Sequence, residues 1–107
     1  MSIEYALEKF TAVTGMMATS SGRLQERLHS AYLTFHPVQE RDFPTDEMKS
    51  LYREIMERLT VVKDPDAGYV PATLAVMSDD EAKVLADHVY DLYDRVRRHV
   101  EEDRRRQ

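Results

Sequence analysis

The final segment constrains this chain more than any other feature: SDDEAKVLADHVYDLYDRVRRHVEEDRRR, beginning at Ser78. Ser78 and Glu81 have the Ser-x-x-Glu spacing in which each side chain satisfies the other's backbone N–H at a helix start. Asp79 and Asp80 fill the first turn, where the helix dipole favours anions. Ala82, Leu85, Val89, Leu92 and Val96 then recur at spacings of three and four, and Ala86, Tyr93 and Val100 widen that stripe. Asp79–Lys83, Asp91–Arg95 and Asp94–Arg98 are i,i+4 pairs in the favourable order. A helix over 79–105 is about 40 Å long at ~1.5 Å per residue. A chain of 107 residues makes one domain with a radius of gyration of about 13 Å. The rest of the chain therefore has to pack along one face of this helix, and residues 103–107 are expected to project as a frayed tail.

What precedes it also reads as helix. After FPTDEM, Thr45 or Asp46 can cap a helix whose stripe is Met48, Leu51, Ile55, Met56 and Leu59, stopping near Val62. Asp64-Pro65 and Gly68 form a turn that no helix should cross. Ile3, Leu7, Phe10, Met17, Leu24, Leu28, Ala31 and Phe35 stay on one heptad grid. A single helix of that length would be about 50 Å long, too long for so small a domain to cover. TSSG at 19–22 has a loop composition, so two helices are expected, roughly 3–17 and 21–36, with His36-Pro37 ending the second. The fold class is all-α: a small antiparallel four-helix bundle with a long final helix.

AGYVPATLAVMS, residues 67–78, carries no formal charge in a chain that is 33% charged. Pro71 near its start and Ser78 capping the next helix leave room for one or two helical turns or an extended crossing. Burial explains the missing charges, because an unpaired buried charge costs several kcal/mol. An interface fits the same composition, but burial is the favoured explanation. The expectation is that Leu74 and Val76 point inward while Tyr69 and Val70 lie on a rim shared with a partner. Tyr90 and Tyr93 are further candidate contacts, since tyrosine is enriched in interfaces.

Composition restricts the chemistry. Cysteine is absent, which removes disulfides, thiolate nucleophiles and cysteine-based zinc sites and suits a cytoplasmic protein. The start, MSIEYALEKF, lacks the basic and apolar regions of a signal peptide, and no stretch approaches the ~20 apolar residues of a membrane span. Net charge is −5, yet from Arg95 onward six arginines face Glu101, Glu102 and Asp103, a local +3 on an otherwise acidic body. Such a body disfavours a broad nucleic-acid footprint. Arg95, Arg98, Arg104, Arg105 and Arg106 are the residues that would bind nucleic acid if the tail did so.

Candidate catalytic groups are few. Glu26 and His29 have the Glu-x-x-His spacing of metal-binding bundles, but one such pair is short of the converging ligands that a site needs, and no metal or cofactor is expected. Arg23 and His29 are separated by five residues, within the Arg-x(4–6)-His spacing of HEPN-type helical ribonucleases, which the chain resembles in size and helix content. Arg95 and His99 have only three residues between them and depart from that pattern. The resemblance implies that the His acts as acid/base and the Arg stabilises phosphate charge. With no phosphate-cradling glycine loop and no triad, the leading expectation is a protein that is not an enzyme. It would act by protein–protein interaction, as a homodimer or as an accessory subunit. A HEPN-like ribonuclease or nucleic-acid-binding factor using Arg23, His29 or His99 is the alternative.

Overall fold

The computed structural model describes residues 2–107, and the described residues are all-helical. Five α-helices run in the order α1 (Ile3–Thr19), α2 (Leu24–Phe35), α3 (Asp46–Leu59), α4 (Tyr69–Val76) and α5 (Asp79–Arg106), with a 3-10 turn at Glu40–Asp42. The molecule measures 47 × 27 × 20 Å, and α5 sets the long dimension. Helices α1, α2 and α3 all pack on α5, while α4 closes against α2 and α3.

The first break falls where loop composition predicts it. Gly22 adopts φ +101°, a left-handed conformation that side chains rarely tolerate, and so separates α1 from α2. Arg27 then reaches back, its Nη1 donating to the Met17 carbonyl at 3.0 Å and satisfying the open end of α1. Helix α2 stops at Phe35, ahead of Pro37. Thr45 caps α3 by accepting from the Met48 N–H. That helix ends at Leu59, three residues before the expected stop near Val62.

A core of aromatic rings joins these elements. Phe10 of α1 stacks on Phe35 of α2 with centroids 5.2 Å apart, and Phe43 from the connection to α3 meets Tyr52 at 5.0 Å. The Tyr52 hydroxyl donates to the Val38 carbonyl at 2.6 Å. Burial, with smaller contributions from Tyr32 and Asp42, pushes its pKa up to about 12, so it stays a neutral donor at any ordinary pH.

Helix α5 begins as its spacing predicts. The Ser78 hydroxyl accepts from the Glu81 N–H at 3.1 Å, and Glu81 accepts from the Ser78 N–H at 3.0 Å. The Ser78 N–H first, and then the Ser78 hydroxyl, hold the Glu81 carboxyl below the usual carboxylate range. Ser78→Ala is expected to lower stability by about 1 kcal/mol in a thermal melt. An unchanged melting temperature would mean that this cap does not hold the helix start. Asp91–Arg95 and Asp94–Arg98 pair along the helix at 3.0 and 2.6 Å as predicted. Asp79 instead turns to α2, where it accepts from Gln25 and Arg23. Beyond Val100 the stripe ends, and the helix continues through Arg106 with every residue from Glu102 exposed. The tail thus projects, but as helix.

Most of the charge-free window forms α4, a fifth helix beside the four expected, and takes the short helical form rather than the extended crossing. Asp64 prepares it: its carboxylate accepts from the Asp66 and Ala67 N–H groups, and its carbonyl accepts from Gly68. Gly68 sits at φ +94° with Pro71 so close that an added Cβ would lie 3.3 Å from its Cδ. Because the segment is helical, residues at spacings of three and four share a face. Val70, Thr73 and Leu74 therefore point inward, and Thr73 Oγ1 accepts from the Val62 N–H at 2.9 Å. Two expectations fail for the same reason. Val76, placed inward on an extended strand, is 73% exposed, and Val70, placed on the rim, is 4% exposed.

Candidate protein-docking face

Around α4, a helical register of 100° per residue sorts the side chains cleanly. Val70, Thr73 and Leu74 fill the inner arc. The outer arc passes from Pro71 and Ala75, beside α2, across Ala72 to Val76 and Tyr69. No residue on that outer arc is charged or carries a polar group beyond the tyrosine hydroxyl. A helix that is apolar all round is normally buried all round. Here only one face is covered, and Tyr69 at 43% and Val76 at 73% exposure are among the largest hydrophobic side chains left in solvent.

The outer arc borders a groove of about 220 Å³ between α2 and α4, lined by Pro71, Leu74 and Ala75 on one wall and Arg23, Gln25, Glu26 and His29 on the other. Gln25 anchors that wall. Only 5% exposed, it donates from Nε2 to the Met77 carbonyl and to Asp79 Oδ1, each at 3.0 Å. Both partners are acceptors, so the amide can face only one way, and Oε1 is left buried without a partner among the described residues. The bond from Gln25 and then those from Arg23 hold the Asp79 carboxyl below its ordinary range, so it is ionised. Gln25 was missed by sequence reasoning. The signal was present, since it lies three residues before Leu28 and extends the Leu28, Ala31, Phe35 stripe by one turn.

The remaining candidates fall elsewhere. Tyr90 is exposed beside α1, with its hydroxyl 3.5 Å from the Thr14 carbonyl, and Tyr93 is partly buried against the core. Neither adjoins α4 in the chain or lines its groove. Arg23 and His29 do line one groove together, although Arg23 already contacts Asp79 at 3.4 Å. His99, Arg95 and Arg98 line a separate hollow of about 490 Å³ at the start of α3, shared with Asp46, Glu47 and Glu102. Arg95 is held by Glu47 and Asp91 at 3.0 Å, and Arg98 by Asp94 at 2.6 Å, so these arginines are matched by carboxylates. Arg106 lies 4.0 Å from Glu102, whereas Arg104 and Arg105 make no ion pair among the described residues. Glu26 and His29 share the groove wall, but no group of three or more His, Asp or Glu side chains among the described residues is placed to hold a metal. No helix among those residues is long and apolar enough to cross a membrane.

No protein-family model matches the chain, and comparison with curated proteins and with solved structures finds no match.

Proposed function

We propose that this is a cytoplasmic interaction protein that docks another protein surface through the outer arc of α4 and the adjoining α2/α4 groove, without a cofactor. One observation carries the reading: α4 is charge-free and apolar on both faces, and this chain covers only one of them. Such a helix fits the question posed by its composition in both senses, as core on the inside and contact surface on the outside. Exposed apolar area of this kind is costly to leave in water unless something covers it. The groove supports the same reading. Its volume suits a single inserted side chain and falls below the range usual for small-molecule sites.

The ribonuclease reading has Arg23 and His29 on one wall of the groove in its favour, and Glu26, the buried Gln25 Oε1 acceptor and an apolar opposite wall against it. A phosphate oxygen is itself an acceptor and finds a donor only at Arg23 and His29.

A photo-crosslinking residue at position 76, introduced in the source cells, is expected to give a discrete adduct. The same residue at Glu57, exposed on α3, should give none. Equal labelling at both positions would remove the docking face. Loss of RNA cleavage on His29→Ala, with no adduct at 76, would establish the ribonuclease instead.

A further inference from the structure

The charges around α4 identify what kind of protein fits it, an inference that rests on the docking face just described. Carboxylates flank α4 in the chain on both sides: Asp64 and Asp66 before Gly68, and Asp79, Asp80 and Glu81 after Met77. Three cations lie beside them, Lys63, Arg23 and Lys83, and the five carboxylates outnumber these. The Lys63 ammonium donates to the Thr60 carbonyl and lies 5.1 Å from the centre of the Tyr69 ring, and Arg23 contacts Asp79. Asp66 and Asp80 make no ion pair among the described residues, and both are exposed. The carbonyl end of α4 adds partial negative charge beside Asp79 and Asp80.

This pattern disfavours a second copy of the same chain. A two-fold axis along α4 would set Asp66 against Asp66 and Asp80 against Asp80. An axis across it would set Asp66 of one copy against Asp80 of the other. Either arrangement buries apolar surface between like charges, which opposes pairing.

We infer that α4 docks an amphipathic helical segment of a different protein, one with an apolar stripe flanked at both ends by lysine or arginine. Helix α4 is about 12 Å long at ~1.5 Å per residue, so the two basic ends lie at least two turns apart on the partner helix. The apolar stripe covers Tyr69, Ala72 and Val76 and sends one side chain into the groove beside Leu74 and Ala75. The basic ends meet Asp66 and Asp80.

Two synthetic helical peptides test this, each carrying leucines at i, i+3, i+4 and i+7, one with lysines at both ends and the other with glutamates. Calorimetric titration against the intact chain at low salt should show the lysine-ended peptide binding roughly tenfold or more tighter, because complementary charge selects partners and like charge rejects them. Val76→Asp should abolish binding of both. The Asp66→Asn, Asp80→Asn double variant should bind the two peptides within about twofold of each other, since the selecting charges are gone. Equal affinity of the wild type for both peptides, no binding of either, or a preference that survives the double variant would overturn the inference. Sedimentation of the free chain separates this from the docking face itself. A dimer at micromolar concentration that Val76→Asp dissolves would keep the face and assign it to a second copy. Binding that Val76→Asp leaves intact would remove the face altogether.

Discussion

Phe35→Ala is expected to cost about 3–5 kcal/mol, the usual consequence of emptying a buried aromatic site. Phe35 is where three elements meet. It stacks on Phe10 of α1, and the edges of Tyr32 and Tyr52 approach it at 5.9 and 6.1 Å. Removing the ring leaves a cavity bounded by other rings, which cannot shrink into it without losing their own contacts. Domains of this size are stable by about 5–15 kcal/mol in all, so the change should lower the melting temperature by on the order of 15 °C. A thermal melt within a few degrees of wild type would mean that α2 does not hold α1 to α3 through this cluster.

Leu74→Ala has the second largest expected effect, about 2–4 kcal/mol. Leu74 is 5% exposed and is the largest side chain on the inner arc of α4. Its neighbours Val70 and Thr73 are smaller and cannot fill the space it leaves. Denaturant unfolding should show a lower midpoint with an unchanged slope, as a smaller core at constant unfolded surface requires. A variant as stable as wild type would mean that α4 lies on the domain without forming part of its core.

How well each element could be read from the sequence follows from how much local signal it carries. Helix α5 declares its start through Ser78 and Glu81 and its face through a stripe about five turns long at ~3.6 residues per turn, and both hold. The break between α1 and α2 is legible because Gly22 supplies a backbone conformation that few other residues adopt. Helix α4 is not legible in the same way. Periodicity is the contrast between apolar and polar positions, and YVPATLAV offers almost none. With no phase to read, an inner residue (Val70) and an outer one (Val76) look alike. The groove is hidden for a different reason. Arg23 and His29 lie more than forty residues from Pro71 and Ala75, and only the turn built on Asp64 and Gly68 brings α4 back to α2. The Asp79 pairing was misread for the same cause: a local partner, Lys83, was in sight in the sequence, whereas Gln25 and Arg23 come from another helix.

In the proposed function α4 faces two ways, its inner arc holding the domain together and its outer arc holding a partner. Hydroxyl-radical footprinting tests it most directly, comparing the purified chain with the same chain in its native cellular assembly. Leu33, 57% exposed on α2 and absent from the groove, provides the reference. Tyr69 and Val76 are expected to be labelled in the purified chain and strongly protected in the assembly, with Leu33 labelled equally in both. Equal labelling of Tyr69 and Val76 in the two samples would contradict the proposed function.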